Sequence, residues 1–122
     1  MPIPSTDPIV TIPMITPFDH TDRVDHEAIT TNVEHWIGTP LSGYIIGTAS
    51  GEEAFLSEDE KLAIVRTVSD LLHGERFVVG GIDCPSASDT LRRAEAFARA
   101  GAEMVRLRLP RRLLGRAELA RQ

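Results

Sequence analysis

Short apolar runs alternate along this chain with longer stretches in which apolar residues recur every three or four positions. The runs are Ile9–Thr16, Gly43–Gly47, Phe77–Ile82 and Glu103–Leu109. Runs of that length and composition predict strands, and the three-and-four recurrence predicts amphipathic helices. Ala28, Ile29, Val33, Trp36 and Ile37 share one face of a helix expected from about His26 to Ile37, with Asp25 as its N-cap and Gly38-Thr39-Pro40 as its stop. Leu62, Val65, Val68 and Leu72, flanked by Ile64 and Leu71, stripe a second helix from about Glu58 to His73. Ser57 and Glu60 form a capping box at its start. Ser86, with Asp89 three residues on, caps a third helix that Gly101 closes, and Leu91, Ala94, Phe97 and Ala98 are expected on its buried face. Pro13 cannot donate to a ladder, so it either demotes the first run as a strand or places it at a sheet edge; a strand is still expected there. Met1–Pro8 reads as an N-terminal tail, Phe18–Arg23 as a polar turn, and Arg111–Gln122 as a weakly amphipathic helix.

The strand centres fall near residues 12, 44, 79 and 106, which is one β–α unit about every 27 to 35 residues, four times over. That spacing implies parallel strands joined by right-handed crossovers. The expected fold class is therefore α/β, with residues 9–122 as one domain. A complete (β/α)8 barrel takes about 250 residues, so four units make half of one. The alternative is a small open doubly wound sheet, but the chain has no GxGxxG or Walker pattern to support nucleotide binding there.

Composition changes this picture little and charge changes it more. The 122 residues are 42% apolar and 25% charged, as in ordinary globular domains. No apolar run approaches the roughly 20 residues of a membrane span, and MPIPSTDP lacks the pattern of a secretory signal. Cys84 is the single cysteine, which excludes an intrachain disulfide, reads as a packed rather than reactive thiol, and fits a reducing, cytoplasmic setting. His20, His26, His35 and His73 have no metal-site spacing, and no metal is expected. The net charge of −5 is uneven: residues 103–122 carry six arginines against Glu103 and Glu118, a balance of +4 that leaves −9 elsewhere. Nucleic-acid binding is not expected from this basic end, because no aromatic residue lies near to stack on bases. Lys61 is the only lysine, set in SEDEKLAIV on a helical pattern, and reads as a solvated surface residue.

Candidate chemistry concentrates in Leu41–Glu60, LSGYIIGTASGEEAFLSEDE. A strand is followed by a small-residue loop, Thr48–Gly51, a pair of acids, Glu52 and Glu53, and a helix start. Such a loop at the carboxyl end of a strand can bring backbone N–H groups close to an anion. A carboxylate wants two or three converging donors, and Ala49, Ser50 and Gly51 can offer them from the main chain. The plainer alternative is a tight turn of small residues. Thr16 ends the first strand on the same side.

Several pieces in order carry a resemblance. Thr16-Pro17-Phe18 and Val24-Asp25 come first. Ser50-Gly51-Glu52, with Leu56-Ser57 and Glu60, is similar to a TTGE motif followed by LS and an acid. Gly80-Gly81-Ile82 and Ala100-Gly101-Ala102 with Pro110 complete the series. Together, over nearly the whole chain, they resemble the N-terminal half of the dihydrodipicolinate synthase / N-acetylneuraminate lyase family, whose members are class I aldolase-type (β/α)8 barrels. The resemblance implies lyase chemistry through a Schiff base between a lysine on strand six and pyruvate or a related 2-oxo acid. A tyrosine on strand five relays protons, the strand-two loop holds the carboxylate, and neither metal nor organic cofactor is used. Aligned without gaps, Ala49 and Ser50 occupy the family's hydroxyl pair, so Ser50 keeps a hydroxyl and Ala49 loses one. Arg111 or Arg112 occupies the aromatic position after strand four, where an arginine would clamp an acidic substrate or lie exposed.

The same resemblance implies a deficit. Strands five and six are not in the chain, so the Schiff-base lysine and the relay tyrosine are expected to be absent and no residue is assigned as catalytic. Lys61 is no substitute, because Glu58, Asp59 and Glu60 beside it favour an ammonium. Tyr44, the sole tyrosine, is expected to be packed. The chain is read as truncated and unable alone to form the covalent intermediate. The alternative is a non-catalytic half-barrel that assembles as a homo-oligomer or with a complementary chain through the open edges of strands one and four.

Overall fold

The computed structural model describes residues 8–83 and 86–108. In order these form β1 (Thr11–Pro13), α1 (His26–Ile37), β2 (Gly43–Ile46), α2 (Glu58–Leu72), β3 (Phe77–Ile82), α3 (Ala87–Ala100) and β4 (Met104–Leu107), with two single 3₁₀ turns, Ala49–Gly51 and Glu53–Phe55, between β2 and α2. Cys84, Pro110, Arg111, Arg112 and the helix expected over residues 111–122 lie outside the described residues.

Local chemistry accounts for the helix bounds. The Asp25 carboxylate accepts from the Ala28 N–H at 2.9 Å and starts α1. At α2 the Ser57 hydroxyl accepts from the Glu60 N–H at 3.1 Å, while the Glu60 carboxylate accepts from the Ser57 N–H at 3.3 Å. That is the reciprocal box its spacing predicts. Ser86 caps α3 by accepting from the Asp89 N–H, and Gly101 ends it with φ 119°, a conformation side chains disfavour. In the polar turn, the Asp19 carboxylate accepts from the hydroxyl and N–H of Thr21 and from the N–H of Arg23, bonds that hold its pKa below the usual value. Phe18 and Val24 pair across that turn in an antiparallel bridge.

β1 is shorter than the Ile9–Thr16 run. Its ladder to β2 is carried by the Ile12 register, the Val10 carbonyl accepting from Ser42 N–H at 2.7 Å, and the Met14 N–H donating to Ile45 at 2.9 Å. Backbone groups alternate sides along a strand, so the nitrogen of Pro13 faces the free edge, where a missing N–H costs nothing. β2 ends at Ile46 rather than Gly47, because Gly47 turns away at φ 83°.

All four strands are parallel, and their order across the sheet is their order in the chain. Tyr44, Ile46, Val78 and Ile82 pack in one cluster with Ile29 and Val33 of α1, Ile64, Val65, Val68 and Leu72 of α2, and Phe97 of α3. All three helices therefore cover the same face of the sheet. A doubly wound sheet reverses its strand order and places helices on both faces. Sequential order with one-sided helices is a barrel sector, so the doubly wound alternative is excluded and these are four consecutive units of a (β/α)8 wall.

One expectation for α3 requires correction. Phe97 and Ala100 are buried and Ala94 is half-buried, but Leu91 is 63% exposed and Ala98 is exposed as well. The buried stripe of a helix is set by the elements packed against it, and among the described residues α3 has a helical neighbour, α2, on one flank only. The helix-side residues of β4, Val105 and Leu107, are exposed for the same reason.

Candidate functional site at the carboxyl ends of the strands

The segments leaving the strands at their carboxyl ends form one rim: Thr16 after β1, the turn Thr48–Gly51 after β2, Asp83 after β3 and Arg108 after β4. The Thr16 hydroxyl donates to the Gly51 carbonyl at 2.6 Å, tying the ends of β1 and β2 together. Gly51 is buried against β1, and a Cβ there would lie 2.7 Å from the Met14 carbonyl oxygen. Glycine is required by that approach. Replacing Thr16 with valine keeps its shape and deletes the donor. A loss of about 1–2 kcal/mol in unfolding free energy is expected from urea titration, with Thr16→Ser near wild type; an unchanged midpoint in Thr16→Val would detach the loop from β1.

Within the turn, the Gly51 N–H donates to Thr48 at 3.0 Å, the Glu52 N–H to Ala49 at 3.0 Å and the Glu53 N–H to Thr48 at 3.2 Å. The donor anticipated at Gly51 is therefore engaged inside the loop. The first N–H groups of a 3₁₀ turn have no partner within it. Those of Ala49 and Ser50 accordingly have no acceptor among the described residues, and both residues are exposed. With the Ser50 hydroxyl they make three donors at the rim. The Thr48 hydroxyl, beneath, is buried without a hydrogen-bond partner among the described residues.

Lys61 is not the solvated residue expected. It is 8% exposed, and its ammonium donates to the Glu53 carboxylate at 3.2 Å. Glu52 takes a left-handed conformation, φ 57°, which reverses the chain so that the second 3₁₀ turn lies over the start of α2. This fold-back is invisible to helical periodicity, which sees only a charged position in a charged turn. Lys61 remains in the helix layer, with its charge occupied.

Tyr44 is packed, as its strand pattern predicts. It stacks on Trp36 with ring centroids 6.0 Å apart, and burial pushes its phenol above the usual range, against a smaller opposing pull from Arg76. Asp83 and Arg108 form an ion pair at 2.5 Å across the ends of β3 and β4. No group of three His, Cys, Asp or Glu side chains among the described residues could hold a metal ion, and no described helix is long and apolar enough to cross a membrane.

The inward face of β4 is a feature absent from the sequence expectations. Val79 pairs with Met104, and Gly81 with Arg106. Residues 78, 80 and 82 face the helices, so Val79, Gly81, Met104, Arg106 and Arg108 face the barrel interior. The signal that could have found it is the alternation M-V-R-L-R in residues 104–108, which places both arginines on Met104's side.

Residues 8–110 match the model of the dihydrodipicolinate synthetase family. The chain belongs to that family. Among its relatives, the 4-hydroxy-tetrahydrodipicolinate synthase of Lacticaseibacillus casei is 29% identical over 77 residues, 63% of this chain and 26% of that enzyme. The corresponding Bacillus subtilis enzyme is 26% identical over 101 residues, 83% of this chain and 35% of its own length. A Bacillus anthracis dihydrodipicolinate synthase structure superposes with a TM-score of 0.75 at 23% identity, covering 81% of this chain and 34% of its own. That likeness carries the fold. This family member thus spans about a third or less of these relatives and corresponds to the N-terminal half of the barrel, four strands of eight.

Proposed function

We propose that the turn Thr48–Gly51 holds the carboxylate of pyruvate or a related 2-oxo acid, as part of the Schiff-base lyase chemistry of this family, and that the attacking amine is not among these 122 residues. The observation that carries the reading is the pair of unengaged N–H groups at Ala49 and Ser50, beside the Ser50 hydroxyl and fixed to the strand ends by the bond from Thr16 to Gly51. Preorganised donors of this kind bind a carboxylate and keep the adjacent carbonyl in one orientation. An amine reaching that carbonyl would add to it and lose water to give the imine. Lys61, the only lysine, is buried in the helix layer against Glu53 and does not serve. The single cysteine suits a reducing, cytoplasmic setting.

Incubating the chain with pyruvate and borohydride, followed by mass spectrometry, tests this. The expected result is no covalent adduct, together with a pyruvate-dependent rise in the melting midpoint that Ser50→Ala diminishes. An adduct on Lys61 would overturn the assignment of the amine. Protection by phosphate and none by pyruvate would overturn the carboxylate site.

A second reading is supported by the apolar edges. Ile9, Val10 and Ile15 beside β1, and Val105 and Leu107 on β4, are exposed at the two ends of the sheet. Unpaired strand edges with apolar side chains invite pairing with a second copy or a complementary half-barrel. Sedimentation velocity of the chain alone reads this: a monomer at tens of micromolar would count against self-assembly.

A further inference from the structure

We propose that Arg106 binds a second acidic group of the substrate inside the barrel, so that the preferred ligand is a 2-oxo dicarboxylate rather than pyruvate. The proposal rests on the carboxylate site at Thr48–Gly51 and adds the substrate class. Arg106 faces the interior from the β4 position paired with Gly81. Its side chain runs across that glycine: one terminal guanidinium nitrogen lies 3.2 Å from where a Gly81 Cβ would stand. Just past the end of β2 the neighbour is Gly47, whose carbonyl oxygen would clash with that same Cβ. Two adjacent interior positions therefore carry no side chain, and the guanidinium occupies the hollow they leave, in the layer directly beneath the rim turn.

The charge of Arg106 is uncompensated among the described residues. Its Nε is buried without a hydrogen-bond partner there, and the residue has no ion pair with any of them. Arg108, the next residue on the same face at the end of β4, is answered by Asp83. Arg106 is half-buried with its Nε covered; a guanidinium partly withdrawn from water without a counter-charge is costly, and it is the side chain best shaped for a carboxylate. The Ala49 and Ser50 N–H groups take the acid group next to the carbonyl. Arg106 then receives the one at the other end of the same molecule.

Titration calorimetry of the full chain with 2-oxoglutarate and with pyruvate tests this. The dicarboxylate is expected to bind about tenfold or more tightly, the effect of one charge-assisted contact. Arg106→Gln should bring the two affinities together, and Arg106→Lys should keep part of the preference, since a lysine retains charge but not the planar fork. Equal affinities in the wild type, or a tenfold preference that survives in Arg106→Gln, would overturn the proposal and show that the arginine is answered by some other group. If Arg106→Gln fails to fold, the wild-type ratio and Arg106→Lys decide. Pyruvate binding with no dicarboxylate preference would sink this inference alone; no binding of either acid would remove the carboxylate site with it.

Discussion

Gly81→Ala should destabilise the chain by about 3 kcal/mol, at the upper end of what overpacking in a core costs. An added Cβ would clash with the Gly47 carbonyl oxygen and meet Arg106 at 3.2 Å. The first contact is with backbone immediately after β2 and cannot rotate away as a side chain would. Relief requires the two strands to separate at the layer below the rim, which also displaces the hollow that Arg106 fills. Gly38→Ala provides the control. Gly38 has φ −75°, and nothing lies within 4 Å of its added Cβ, so that variant should be within about 0.5 kcal/mol of wild type or slightly more stable. Urea unfolding of both variants measures the difference. Equal midpoints would mean that β2 and β3 do not approach each other as described.

Phe97→Ala should cost about 3–5 kcal/mol, a large share of the roughly 5–15 kcal/mol that holds a typical domain together. Phe97 is the large buried side chain by which α3 covers the sheet, and it packs directly on Gly80, where a Cβ would come within 2.8 Å of its ring. Aromatic ring and bare glycine form one unit, so the two positions are expected to couple. Gly80→Ala alone is destabilising, and in a Phe97→Leu background the added methyl should cost less, because the smaller side chain can yield. Thermal melts followed by circular dichroism give all three values. A loss below about 1 kcal/mol for Phe97→Ala would show that α3 does not rest on β3.

Much of the candidate site is legible in the sequence. The loop Thr48–Gly51 announces itself by small residues between an apolar strand and a capping box, and Thr16 by its place at the end of a strand. Which N–H groups are free is not legible there. Small-residue composition treats Ala49, Ser50 and Gly51 alike, whereas the 3₁₀ turn engages Gly51 and leaves the first two. The functional roles assigned to Arg111 and Arg112 fall on residues outside those described. The arginines that the fold does place toward the interior are Arg106 and Arg108, of which Arg108 is paired with Asp83; composition counts both only as part of a basic end.

The division between the two levels follows the range of the interactions. Helix limits are settled by contacts within four residues, as at Asp25, Ser57 and Ser86, so the linear order of residues contains them. Strand identity and the four-unit rhythm follow in the same way from period and spacing. Whether the sheet is singly or doubly wound, whether Lys61 meets water or Glu53, whether Leu91 is covered, and which way Arg106 points depend on residues 8 to 40 positions away or on a neighbouring strand's register. Those contacts exist only once the chain has closed its loops, and the tertiary structure alone decided them.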